Sequence, residues 1–334
     1  MDGATPPAAP QEQAVPVSRR IPERIARRLR IPAIAAPMLR VSGPELTAAT
    51  CAAGAIGAFP AANARSVEEL DAWFAQIRDD LAAAEDRSGR AAAPLCPNLI
   101  VRHPRYAEDL ACAARNGCEL VITSVGSPKD AVGPIHDAGG LVFADVASVR
   151  HVERAAEAGA DGLILLTAGA GGQTGWANPF AFARAARAIF DGPIVLAGGI
   201  SDGRSLLAAL ALDCDLAYMG TRFIATAESR ADPAYKTMLT RSSLDDVLLT
   251  RAFTGLQTNM LRPSIEAAGL DPERLDEQMD EARARDAFGA KAEPGAPRRW
   301  KDIWSAGHSV SGIADVPTAA ELVERLAAEI AEAR

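Results

Sequence analysis

Cysteine is scarce and poorly spaced for cross-linking in this 334-residue chain: Cys51, Cys96, Cys112, Cys118 and Cys214, with no C-x-x-C pair. An odd, scattered set supports neither a disulfide framework nor a zinc site, so free thiols in a reducing cytosol are expected. There are only four histidines, and no His/carboxylate cluster suggests a metal. No run of Lys or Arg is present and the formal net charge is −8, which argues against nucleic acid or an anionic bilayer as a partner. Apolar stretches such as GLILLTAG are too short to cross a membrane. Residues 1–20, MDGATPPAAPQEQAVPVSRR, lack a basic region followed by an apolar one. They read as a disordered lead-in, and the protein is expected in the cytoplasm. No G-x-G-x-x-G links a strand to a helix, which excludes a Rossmann dinucleotide site. No Lys stands at a strand end, which argues against Schiff-base chemistry.

What is plentiful is apolar sequence, 49% of the chain, enough to bury one large core. From residue 31 one theme recurs: a short apolar run, a Gly/Pro/Asn/Ser break, then an Ala-rich segment of helical period. The strand candidates are 34–38, 55–60, 95–101, 120–125, 141–146, 162–167, 193–197 and 216–219. Helical segments are expected at 44–53, 67–84, 105–116, 148–158, 180–190 and 203–212. Strands that are apolar throughout are buried on both faces. Repetition on this scale predicts an α/β fold, a closed (β/α)8 TIM barrel, over 21–226. AGADGL, DCDLAY and NGCELV mark the bottom of the barrel, where a helix ends and a strand begins on an acid. Charged, longer-period sequence then predicts a small helical subdomain over 227–300. Residues 301–334 are expected to return to the barrel through an amphipathic helix, with Thr318 near its start.

In such barrels the active site lies at the C-terminal ends of the strands, and a phosphate commonly sits on the last two loops. Those loops are AGGIS (197–201) and MGTRF (219–223). Gly198 and Gly199 permit close backbone approach, the helix beginning near Asp202 aims N–H groups at the same place, and Gly220 and Thr221 add further donors. A diglycine alone can be a plain tight turn; two on consecutive strands point to a cup for one phosphate. At 36–38, Pro37 fixes the backbone, and Met38 either fills the strand end or packs on a planar ring. Asn98 is the one side-chain amide in an apolar strand, and it either satisfies backbone or bonds a heterocycle. The glycine-rich stretch TAGAGGQTGWANPF (167–180) leaves room beside a ligand. Its Gln173 can donate and accept but cannot take up a proton, and Trp176 either walls the pocket or packs in the loop.

The ordered motifs IAAPM, AGAIGAFP, NLIV, TSVGSP, ASVRH, AGAGGQTG, LAGGISDG and YMGTRFIAT, followed by WKDIWSAG, resemble the nitronate monooxygenase (2-nitropropane dioxygenase) family. The resemblance implies an FMN-dependent barrel in which Ala36, Pro37 and Met38 lie along the flavin ring and Asn98 bonds it. It further implies that Gly171 and Gly172 sit near the reactive ring and that Gly198, Gly199, Gly220 and Thr221 hold the phosphate. Asp145 falls where many members carry a Lys, which leaves its flavin contact open.

The main departure is Gln173, where nitroalkane-oxidising members place a His base; Gln cannot remove an α-proton. His308 stands where relatives often have Gln. An exchange of imidazole and amide over the flavin is one expectation, which makes Gln173 and His308 the catalytic candidates; a surface or capping His is the other. Of the remaining histidines, His103 is within reach of the mouth, whereas His136 and His151 read as helix-surface residues. The activity implied is oxidation of alkyl nitronates with O2 to a carbonyl compound and nitrite. The alternative is an FMN reductase of quinones or enoyl thioesters, with NAD(P)H bound transiently over the flavin. A flavin-binding protein without turnover and a phosphate-sugar enzyme are weaker readings. Expected partners are a small-molecule substrate and O2, with a homodimer as the candidate assembly.

Overall fold

The computed structural model describes residues 17–289 and 292–334. Eight parallel strands close into a barrel: β1 (Ala33–Ala35), β2 (Ile56–Pro60), β3 (Leu95–Ile100), β4 (Leu120–Ser124), β5 (Leu141–Val146), β6 (Gly162–Leu166), β8 (Ile194–Ala197) and β9 (Leu216–Met219), with β9 pairing back onto β1. Every expected strand is present. The largest difference is at β1, which stops at Ala35 because Pro37 has no N–H to continue a ladder. The expected helices are present too. One more, Lys129–Asp137, escaped the reading because Gly133 and Pro134 interrupt its helical character.

Alternation along each strand divides the core in two. Ile34, Ile56, Ile122, Phe143, Ile164, Val195 and Leu216 fill the barrel interior, and Ile21, Ile25 and Leu29 pack into the same cluster and plug its bottom. The lead-in expectation is corrected here. Residues 1–16 lie outside the described residues, but Val17 packs on the plug and Arg20 pairs with Asp213 and Asp215. The acids that open the strands close the bottom. Asp215 accepts from Ile194 N and Arg187, Asp161 accepts from Val142 N, and Glu119 pairs with Arg28.

The chain leaves the barrel after the short helix Thr221–Ile224 and returns through helix Ala319–Glu332. A capping box of Thr318 and Glu321 starts that helix. Its Leu322, Val323, Leu326 and Ile330 are buried against helices Pro44–Ala53 and Gly203–Ala211, where the eighth barrel helix belongs. Burial of each is worth about 1.5–3 kcal/mol. The excursion between is not purely helical, contrary to expectation. It contains helices Pro233–Leu239 and Glu281–Phe288, but also an antiparallel hairpin, β10 (Val247–Thr250) and β11 (Thr258–Leu261), which pairs with β7 (Gly172–Gln173). The central strand β11 forms there between partners on both sides, β10 and β7, which tertiary pairing decides and local composition does not. Among the described residues no helix is long and apolar enough to cross a membrane.

Candidate functional site

Each strand's last inward residue contributes to the floor of a cavity of about 980 Å³ at the C-terminal end of the barrel. Asn98, Ser124 and Asp145, from β3, β4 and β5, make a continuous polar arc, and Tyr218 of β9 faces it. Leu166, Ala197, Ala36 and Pro60 make the apolar remainder. Such a volume, with few polar groups on an apolar floor, is what a planar cofactor plus a small substrate requires. Asn98 and Ser124 satisfy one another: Asn98 Nδ2 donates to Ser124 Oγ at 3.1 Å, and the hydroxyl is 3.3 Å from Asn98 Oδ1. Asp145 has no such arrangement. Its Oδ1 is sealed from solvent and has no partner, and burial pushes the carboxyl up to about 7. Burial likewise raises Tyr218 well above its ordinary value.

The expected cofactor residues all line this one cavity, from Ala36, Pro37 and Met38 on one side to Gly198, Gly199, Gly220 and Thr221 on the other. Asn63 Nδ2 donates to Met38 O at 2.9 Å and Met38 N donates to Ser42 Oγ at 3.0 Å, which holds the strand end in place. Gly199 has φ +75°, and a Cβ there would meet nothing within 4 Å. Its N–H and those of Ile200 and Gly220 are taken up by no hydrogen bond among the described residues. These are the free donors of the cup. Of the helix Gly203–Ala211, expected to add its own, the first N–H is already taken: Gly203 N donates to Glu329 Oε2 at 2.8 Å, and just before it Ser201 N and Asp202 N donate to Ser205 Oγ. The returning C-terminal helix occupies that position.

Gln173, an exposed residue of β7, lines the cavity. The preceding loop is fixed by Asn259 of β11, whose Nδ2 donates to Ala168 O at 2.9 Å and Ala170 O at 2.7 Å. Gly171 is required by a neighbouring chain segment, since a Cβ there would meet Gly307 N at 2.7 Å. That contact decides the fate of His308. The segment 305–309 crosses the glycine loop backbone to backbone, with His308 N donating to Gly169 O, and Gly307 N donates to the side-chain Oγ1 of Thr221. The imidazole is thereby turned away, onto a separate cavity of about 290 Å³ shared with Trp176 and Asn178. Gly169, Gly198 and Gly199 stand between the two spaces. The structure therefore does not bring His308 and Gln173 together, and the exchange of imidazole and amide is corrected. Trp176 is 82% exposed and does not line the main cavity.

His103 does line the main cavity, with Nδ1 accepting from Arg105 N at 3.3 Å. His136 pairs with Asp161 at 2.8 Å on the outside of the barrel. The mouth is basic despite the acidic chain. Arg102, Arg251, Arg285 and Arg299 line it against Asp280 and Glu281, and among the described residues only Arg102 of these is ion-paired, to Glu281 at 3.6 Å. Burial, and then the charge of Arg285, lowers the pKa of Arg299. The sequence reading missed these arginines because they are far apart in the chain and three lie in the excursion. It missed Ser124 and Tyr218 although a signal existed, since strand alternation places both on the inward face with Asn98 and Asp145.

The profile of the nitronate monooxygenase family matches residues 25–329. The nitronate monooxygenase of Paraburkholderia phytofirmans is 28% identical over 342 residues, covering 90% of this chain and 92% of that protein. The (3aS,4S,5R,7aS)-5-hydroxy-7a-methyl-1-oxo-octahydro-1H-indene-4-carboxyl-CoA dehydrogenase of Mycobacterium tuberculosis is 26% identical over 240 residues, 70% of this chain but only 64% of the relative's own length. A solved nitroalkane oxidase from Streptomyces ansochromogenes superimposes with a TM-score of 0.74 at 26% identity, covering 91% of this chain and 96% of that one. Because the family match begins in the helix that plugs the barrel and ends in the helix that closes it, barrel and excursion fall within it together, and this chain belongs to the nitronate monooxygenase family as a flavin-dependent oxidoreductase.

Proposed function

We propose that the flavin is FMN and that the enzyme oxidises preformed alkyl nitronates with O2, giving a carbonyl compound and nitrite. The observation that carries this reading is the residue that lines the cavity wall from β7: Gln173, an amide that cannot act as a base, with His308 turned into another space. A nitronate arrives already deprotonated and needs no base. FMN fits the residues present, because the glycine cup at the ends of β8 and β9 has free N–H donors for one phosphate and open space before Gly199. The bound flavin supplies the electron transfer. The protein's part is to orient and to attract. Asn98, Ser124 and Asp145 would hold the ring at the cavity floor, Gln173 would donate to the nitronate oxygens, and the basic mouth would draw an anion inward.

A second reading is favoured by that same mouth. Arg251, Arg285 and Arg299, which form no ion pair among the described residues, on a chain of net charge −8, suit a phosphate-bearing substrate such as a CoA thioester, the substrate class in the M. tuberculosis relative's name. In that case NAD(P)H would be the transient reductant.

Anaerobic reduction separates the two. The full chain is mixed in turn with propionate-3-nitronate, NADPH and NADH while the flavin absorbance is followed. Bleaching by nitronate alone is the expected result; bleaching by nicotinamides alone replaces the first reading with the second. Gln173→His should add oxidation of neutral nitroalkanes, because it supplies the missing base, and no gain would mean that Gln173 is not at the substrate.

A further inference from the structure

Asp145 is the acid on the cavity floor, and everything that packs around it leaves it without a counter-charge. On β6 it lies level with Ile164. On β4 the neighbouring floor residue is Ser124, whose hydroxyl is engaged with Asn98. Its own strand turns Ala144 and Val146 outward to pack with Val152 and Ala155 of the covering helix, so the charges of that helix lie behind the barrel wall. The titratable groups that reach it across the interior are Tyr218 of β9 and the Cys96 thiol of β3. Burial keeps both of these neutral. No Lys, Arg or His forms an ion pair with Asp145 among the described residues, and its Oδ1 has no hydrogen-bond donor.

Asp145 is half-buried, with Oδ1 sealed; once a flavin covers the floor, a carboxylate there would become a buried charge with neither cation nor protein donor, which is far more costly than a neutral acid. The neutral acid has one O–H to donate. The edge of a flavin ring presents nitrogen and oxygen acceptors, and it gains negative charge on reduction, so an O–H beside it is favourable where a carboxylate is repulsive. We propose that Asp145 works as a neutral carboxylic acid whose O–H donates to the bound flavin, so that flavin binding draws a proton onto the protein. This rests on the flavin-binding reading of the cavity. The upward shift of the carboxyl to about 7 places that proton exchange near neutrality.

The test is calorimetric titration of FMN into the flavin-stripped full chain, about one pH unit above neutrality, in buffers of different ionisation enthalpy. Native protein is expected to take up protons on binding, and its FMN dissociation constant to rise with pH, approaching tenfold per unit. Asp145→Asn keeps a donor of nearly the same shape but cannot titrate, so both effects should vanish while FMN still binds. In the flavin-loaded chain, infrared difference spectra should carry a protonated-carboxyl band that Asp145→Asn abolishes. Binding without proton uptake, proton release, or uptake unchanged in the variant would overturn the proposal and leave the flavin reading standing. Failure to bind FMN at all would overturn both.

Discussion

Two aspartates are held inside the same barrel, one at each end, and they are handled in opposite ways. Asp215, at the bottom, is fully buried and saturated: Arg187 at 2.7 Å, Arg20 at 3.2 Å and the N–H of Ile194 at 2.7 Å all reach it. Asp145, at the top, has an oxygen that nothing reaches. The first arrangement locks strands and plug together; the second leaves a carboxyl with one oxygen sealed and unsatisfied and the rest of the group open to the cavity. In this barrel the bottom is built for stability and the top gives some stability away, the division expected when strand ends carry the chemistry.

The contrast can be broken by mutation. The largest loss is expected from Asp215→Ala, which leaves the nearly buried Arg187 with only the longer, more exposed Asp213 pair at 3.3 Å and takes the acceptor from Ile194 N, and should cost about 3–5 kcal/mol in urea unfolding. A loss below about 1 kcal/mol, the size of an exposed pair, would erase the distinction. Asp145→Asn should go the other way. The folded chain holds the Asp145 proton up to about pH 7, against an ordinary value of 3.8. Its stabilising contribution is therefore complete below 3.8 and is lost as pH rises through about 7. Without flavin, the Asn variant should accordingly gain on the native chain as pH climbs through that window, by on the order of 4 kcal/mol at most. Equal differences in melting temperature at both ends of the window would refute it.

Asn259→Ala tests whether a polar residue at the top can behave like one at the bottom. It leaves the carbonyls of Ala168 and Ala170 without their donor, for a cost of about 1–3 kcal/mol. It should also raise KM more than it lowers flavin content, because it loosens the loop that carries Gln173. The smallest effect belongs to His308→Ala. The ring is exposed and outside the main cavity, so stability should move by less than about 0.5 kcal/mol. Turnover should be retained, and a large drop in kcat would return His308 to the chemistry.

The barrel was legible because eight apolar runs and their breaks obey one period, and the glycine cup because two such breaks fall on consecutive strands. What could not be read was whatever depends on meetings between distant segments. Nothing local in VLLT or TNML says that TNML will pair with both VLLT and GQ, and nothing in SAGHS says that Gly307 will press against Gly171 and turn the imidazole outward. The helix at Gly203 looked like a free set of donors until Glu329, over a hundred residues on, was found at its end. The polar arc is an intermediate case. Its members could have been chosen by counting inward positions along each strand, but that Asn98 and Ser124 would satisfy each other and leave Asp145 alone required three dimensions.

The detour between β9 and helix Ala319–Glu332 also has a consequence for biosynthesis. A chain emerging from the ribosome lays down all eight strands first, yet the flank between β9 and β1 stays bare until the detour has been translated and the last helix appears. During that interval the apolar sides of helices Pro44–Ala53 and Gly203–Ala211 lack their cover. Late-arriving cover of this kind makes the nascent barrel dependent on a contact between far-separated segments, the type that forms slowly and leaves a sticky surface exposed in the meantime.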